Sequence, residues 1–141
     1  MVDVKTSIKI NAPLNEVVSY ACNPGNAPQW YTNIKSVIWK TAKPLQVAFV
    51  AKFLGKELAY TYEVAQFLDH TFTMKTADGP FPMETTYTFN AKNTDITLMA
   101  IRNKGIPTGF SRLLQPFMRI MMKRANNKDL RMIKSILEKR H

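Results

Sequence analysis

The chain opens on a strict alternation. Val2, Val4, Thr6, Ile8 and Ile10 are interleaved with Asp3, Lys5, Ser7 and Lys9, the period-two pattern of a strand with one face buried. The pattern stops at Asn11-Ala12-Pro13, where proline suits the first position of a helix and asparagine can cap it. Leu14, Val17, Val18 and Ala21 then recur at helical spacing as far as Cys22. Asn23-Pro24-Gly25-Asn26, with Pro28 just beyond, ends that helix and leaves room for a second brief turn around 29–31.

From Ile34 the character changes. Segments 34–41, 46–54, 57–67, 71–76, 83–91 and 95–102 are rich in β-branched and aromatic residues, and turn-forming stretches separate them. Among the connections, Gly55-Lys56 fits a two-residue hairpin loop, because glycine supplies the positive φ that such loops need. Six strands with tight connections predict an antiparallel meander, and the N-terminal strand makes a seventh. Val47, Phe49, Ala51 and Phe53 share one face of their strand; Leu58, Tyr60, Tyr62 and Val64 share a face of the next. Phe72 and Met74, then Thr85, Tyr87 and Phe89, continue the set, while Lys52, Glu63, Lys75 and Glu84 fall on the wet side. Tyrosines on a covered face bring hydroxyls that need partners, which points to a cavity rather than a solid core.

The last element is a long helix. Phe110, Leu113, Leu114, Phe117, Met118 and Met121 recur every three or four residues, and Met132, Ile133, Ile136 and Leu137 carry the pattern on. A helix of about 30 residues spans about 45 Å, enough to cross a sheet. Pro116 either opens its regular part or kinks it, with Ser111 as an alternative cap, and Asn126-Asn127 is where it bends unless it wraps a curved surface. The fold class is α+β.

Composition narrows this further. The chain has 141 residues, 45 % of them hydrophobic and 21 % charged, which is the balance of one ordinary folded domain spanning 1–141. No run of 18 apolar residues exists, so no membrane-spanning helix is expected. Alternation begins within a few residues of Met1, which leaves no room for a signal peptide. One cysteine and two histidines cannot make an internal disulfide or a usual zinc site, so a cytoplasmic setting is the default. The net charge of +10 is uneven: residues 110–141 hold nine lysines and arginines against Asp129 and Glu138. A basic terminal segment attracts anionic partners, although a solvated helix face is its ordinary meaning.

The order of elements, together with Ile8-x-Ile10-x-Ala12-Pro13, Val17, Asn23-Pro24, Pro28, Trp30 and Val37, resembles a known family. It is similar to the polyketide cyclase/dehydrase-like branch of the SRPBCC superfamily, which includes START lipid-transfer domains and the major birch pollen allergen. Asp129-Leu130, Lys134 and Leu137-Glu138 look like that family's last turns; Gln46-Val47-Ala48 stands where many members carry a glycine. The resemblance implies a helix-grip fold, in which a curved seven-stranded antiparallel sheet holds the C-terminal helix, with two short helices and a hydrophobic cavity between sheet and long helix. It implies no shared reaction.

Candidate chemistry is sparse. No nucleophile elbow, phosphate-binding glycine loop or metal-ligand cluster is present, and no cofactor is expected. His70 falls in a turn, where an exposed histidine is the ordinary reading. Cys22 reads as a small buried hydrophobe, and Glu16 and Glu63 become acids or bases only if they enter a cavity, from which alternation turns Glu63 away. Segment 78–82, tipped with Phe81, is either a lid or a simple loop, and Trp30 buttresses the short helices. The expected ligand-lining set is Phe49, Phe53, Tyr60, Tyr62, Phe72, Met74, Tyr87, Phe89, Phe110, Leu114, Phe117, Met118 and Met121. Eight methionines suit either an adaptable pocket or ordinary core filling. The leading expectation is a non-catalytic carrier or sensor of a small hydrophobic ligand such as a lipid, fatty acid or polycyclic metabolite. A cyclase or dehydratase using Tyr60, Tyr62 and Tyr87 to guide protons is the alternative. The third reading is an adaptor that docks its basic helix on an acidic partner. An anionic membrane surface is a further partner for Arg112, Arg119 and Lys123. Nucleic acid ranks behind, because Phe110 and Phe117 sit on the apolar stripe rather than among the cations. The pattern sets no oligomeric state.

Overall fold

The computed structural model describes residues 2–31, 34–42, 45–53, 56–68, 70–78, 82–105 and 115–140. Strand β1 (Val2–Ile10) leads into helix α1 (Leu14–Ala21), a 3₁₀ turn at Pro24–Asn26 and a one-turn helix α2 (Ala27–Trp30). Six strands follow: β2 (Ile34–Ala42), β3 (Leu45–Phe53), β4 (Lys56–Leu68), β5 (Thr71–Asp78), β6 (Met83–Asn93) and β7 (Ile96–Gly105). Helix α3 (Gln115–Glu138) closes the chain.

All seven strands form one antiparallel sheet in the order β1-β7-β6-β5-β4-β3-β2. β2 to β7 are a meander, and β1 pairs with β7, with Val2 opposite Gly105 and Ile10 opposite Thr97. β1 and β2 are therefore the two edges, and the α1–α2 connection spans the distance between them. Register shifts interrupt β2 twice, and others fall between Thr61/Tyr62 and Val64/Gln66 in the β4–β5 pairing and between Ala91/Asn93 in β6. An extra residue on one strand bends it and increases local twist, and these irregularities supply the curvature of a half-barrel. This is the helix-grip architecture.

Local chemistry explains the segment between β1 and β2. Helix α1 begins at Leu14, with Pro13 in extended conformation just before it and no side chain capping it. This moves proline one place outward from the expected first helical position. The Asn11 backbone N–H is instead taken by Glu138 of α3 at 2.8 Å. Asn23 caps the 3₁₀ turn through Oδ1, which accepts from the Gly25 N–H at 3.0 Å. Tyr20 then ties α1 to α2, its hydroxyl donating to Gln29 Oε1 at 2.7 Å. Thr97 Oγ1 donates to the Ala12 carbonyl at 2.9 Å, fixing the chain's exit from the sheet.

Helix α3 lies along β1. Lys134 Nζ reaches the Lys9 carbonyl at 3.0 Å, and the same ammonium binds Glu138 one turn on. The helix runs unbroken through Asn126-Asn127, so there is no break at that pair; Asn126 is buried against the sheet. Pro116 falls in the first turn, where its missing N–H costs nothing. The stripe that meets the sheet runs through Met118, Asn126, Leu130, Ile133 and Leu137. A helix buries one such stripe, and this choice rotates Phe117 and Met132 outward, to 50 % and 41 % exposure. Both were expected on the covered side. Phe110, Ser111, Leu113 and Leu114 lie outside the described residues.

Candidate functional site

The concave face of the sheet carries the candidate site. Val47 and Phe49 on β3, Phe72 and Met74 on β5, and Thr85, Tyr87 and Phe89 on β6 are all buried, as alternation predicts. Register places Val47 opposite Tyr62, Met74 opposite Thr85, and Phe72 opposite Tyr87, so these side chains form continuous rows. Their rings touch edge-on or tilted: Phe49 and Tyr62 centroids are 5.7 Å apart, Phe72 and Tyr87 5.7 Å, and Tyr87 and Phe89 6.5 Å. Trp30 of α2 closes this end, 5.6 Å from Tyr87, and buttresses the short helices as its position suggests. This half of the concave face is core.

Two polar clusters are set into that apolar wall. The first joins Tyr31, at the end of α2, to Tyr87: their hydroxyls are hydrogen-bonded to each other. Burial pushes both phenols well above their ordinary 10.0, and Asp129 and Tyr62 are near enough to push Tyr31 further in the same direction. Both hydroxyls are therefore proton-bearing at neutral pH. Asp129 belongs to the buried side of α3, with 2 % exposure. Cys22 borders Tyr87, and burial pushes its thiol up to about 12, so it is no nucleophile at neutral pH.

The second cluster is a relay between sheet and helix. Thr85 Oγ1 donates to Asn103 Oδ1 at 2.7 Å, and Asn103 Nδ2 donates to Asn126 Oδ1 at 3.0 Å. Thr85 and Asn103 are cross-strand neighbours, which brings them together, and α3 delivers Asn126 from above. The relay ends on a donor: among the described residues Asn126 Nδ2 has no hydrogen-bond partner, and the same is true of Thr6 Oγ1 and Trp30 Nε1.

The rim of the strands opens outward. A cavity of about 340 Å³ is lined by Lys75, Thr76, Pro82, Met83, Glu84, Lys104 and Gly105. Thr76 and Met83 hold its wall together through hydrogen bonds between the Thr76 hydroxyl and the Met83 backbone. Met83 links the rim to the interior, because the Tyr62 hydroxyl donates to its sulfur at 3.3 Å.

Of the residues expected to line a site, Phe49, Tyr62, Phe72, Met74, Tyr87 and Phe89 are brought onto one face. Met118 is buried and Met121 half-buried on α3. Phe117 is turned away, as described. Phe110, Leu114 and Phe81 lie outside the described residues, as do the side chains of Phe53 and Tyr60. His70 is exposed, in a left-handed turn at φ 58°. Sequence reasoning passed over Tyr31, Asn103, Asn126 and Asp129 as site residues. A signal existed for three of them: Asn103 falls at an inward position of β7, and 126 and 129 fall on the stripe through Leu130 and Ile133. Among the described residues, no group of three histidine, cysteine or acidic side chains is placed to hold a metal. No described helix is long and apolar enough to cross a membrane.

Residues 1–138 match the profile of a family described as polyketide cyclase / dehydrase and lipid transport. No curated protein matches in sequence. Among solved structures, a START superfamily protein from Mycobacterium smegmatis superposes with a TM-score of 0.84 at 14 % identity, covering 99 % of both chains. The Zhui aromatase/cyclase from Streptomyces sp. R1128 gives 0.84 at 11 % identity, over 98 % of this chain and 94 % of that one. The di-domain aromatase/cyclase BexL, from the BE-7585A biosynthetic pathway, gives 0.80 at 13 % identity, over 98 % of this chain and 47 % of its own. Identities this low speak for the fold alone.

Proposed function

Since the chain belongs to the polyketide cyclase / dehydrase and lipid-transport family, we propose that it binds a small, mainly apolar molecule bearing a hydrogen-bonding group, between the sheet and α3, without transforming it. One observation carries this reading: an apolar wall in which, among the described residues, buried polar atoms are left with hydrogen-bonding capacity to spare. A donor such as Asn126 Nδ2, left unpaired in a protein interior, costs about 1–3 kcal/mol, and an acceptor on a ligand removes that cost. The rim cavity of about 340 Å³ takes no lining from α3 and carries Lys75, Glu84 and Lys104 of the wet side, so it serves as the approach to that space and not as the space itself. Tyr62, bound to Met83 at the boundary, is the residue past which such a ligand enters.

Native mass spectrometry against fatty acids, lysolipids and polycyclic aromatics, with a displaceable apolar fluorophore, tests the reading. Saturable binding at one molecule per chain is expected. Tyr62→Phe should weaken it by about fivefold, the equivalent of one hydrogen bond at about 1 kcal/mol. Absence of saturable binding across that panel overturns the proposal.

The Tyr31–Tyr87 pair favours a second reading, a cyclase or dehydratase. Two buried phenols that keep their protons can donate to a developing enolate, and Asp129 is close enough to bias where the proton sits. That reading requires turnover of a poly-β-ketone thioester and its loss in Tyr31→Phe and Tyr87→Phe; turnover untouched by both changes removes the pair from the chemistry.

A further inference from the structure

We propose that the outward face of α3 docks on the surface of an anionic lipid bilayer. The inference stands on the helix exterior and does not need a ligand in the interior. At 100° per residue, Phe117, Ile120, Arg124, Lys128, Arg131 and Met132 fall within about a third of the circumference, opposite the buried stripe. Phe117, Ile120 and Met132 are 50 %, 55 % and 41 % exposed, the large hydrophobics that the described surface leaves in water. Arg124, Lys128 and Arg131 are exposed too, whereas Arg119 and Lys123 fall about 200° and 240° round from Phe117, outside this face, with Arg119 near Asp3 of β1. Among the described residues none of the three cations of the face, Arg124, Lys128 and Arg131, holds an ion pair. The carboxylates of the helix do not offset them, because Asp129 is buried and Glu138 is bound to Lys134.

The order along the face selects the partner. Two large apolar side chains sit one turn apart at the N-terminal end, and three cations follow over the next two turns. A helix approaching a bilayer tilted, N-terminal end first, buries Phe117 and Ile120 below the headgroups. Arg124, Lys128 and Arg131 then stay level with the phosphates, their aliphatic stems lying over apolar ground. A nucleic-acid duplex would reward the cations equally well, but would leave the phenylalanine and isoleucine without a use. Lipid supplies both halves of the interaction.

The test is co-sedimentation of the full chain with vesicles of pure phosphatidylcholine or of phosphatidylcholine and phosphatidylglycerol in equal parts. Binding to the mixed vesicles at low salt should exceed binding to neutral ones at least about tenfold, and should fall as salt shortens the Debye length from about 10 Å to about 3 Å. The triple change R124Q/K128Q/R131Q should weaken it at least about tenfold. F117S/I120S should weaken it by a similar factor and leave less binding at high salt than the parent chain retains. K5Q/K9Q/K92Q removes the same charge from exposed positions off α3 and should stay within about twofold of the parent. All these positions are exposed, and unchanged circular dichroism confirms that the variants fold. Equal binding to neutral vesicles, no binding at low salt, or an equal loss in the off-helix control overturns the proposal. So does tighter binding of a duplex oligonucleotide than of mixed vesicles.

Discussion

The hydroxyls of Tyr31 and Tyr87 are each other's partner in an environment of Trp30, Phe72 and Phe89, and neither can ionise without stranding a charge among rings. Burial is the main cause of their raised pKa, and because the folded value lies above the unfolded one, the stabilisation is complete below pH 10. It is lost as pH climbs beyond that. In a pH titration of the five tyrosines followed by NMR, Tyr31 and Tyr87 should therefore stay protonated past pH 10, until alkaline unfolding releases them together. Movement of the Tyr31 and Tyr87 resonances themselves near pH 10 in the native state would contradict the burial argument. Tyr87 was legible in the sequence, because alternation in its strand is regular. Tyr31 was not: it follows a helix of one turn, where neither a period of two nor one of 3.6 has room to declare itself.

The C-terminal turn of α3 shows how one element is latched to another. Glu138 is partly buried, which would raise its pKa, but the Lys134 ammonium and the Asn11 N–H bind it and hold it below the ordinary 4.5. A folded pKa below the unfolded one gives stability that is present above pH 4.5 and fades as pH falls through the depressed value. Glu138→Gln should cost about 1 kcal/mol in urea unfolding at pH 7, and the difference from the parent should close as the pH falls below 4.5 and through the depressed value. A penalty that persists unchanged in acid would mean that shape, not charge, makes the latch. The strands and this helix were legible because their periods run for many residues; Ile133 and Leu137 are buried as their stripe predicts, while Met132, adjacent to Ile133 and assigned to the same stripe, is exposed. The first turns of the helix were not, since Phe117 and Met118 are adjacent, and a short apolar run fits either of two stripes. Asn126 looked like a bend because asparagine is a poor helix former. Its role as the far end of the Thr85–Asn103 relay depends on a strand pairing that no local window contains.

For the molecule as a whole, the order of elements and the seven-stranded sheet could be read from residues 1–105, whereas how far the interior is filled could not. Phe49, Phe72, Tyr87 and Phe89 pack as core at one end, and an open cavity of the rim lies at the other, by Thr76 and Met83. The pairing of β1 with β7 reaches further. Val2 meets Gly105, and Lys9 meets Lys134 of α3, so β1, made before the other six strands of the sheet, is the last of them to find a neighbour on its paired edge. At about 5–20 residues per second, translation keeps β1 waiting for roughly 5–20 s with Val2, Val4 and Ile10 uncovered. Nascent chains arrested before β7 emerges should be cut by protease within β1 and should recruit hydrophobe-binding chaperones. Chains released beyond residue 138 should resist cutting there. Until β7 arrives, the sheet therefore offers other chains a sticky edge, and the strand that completes it is also its cover.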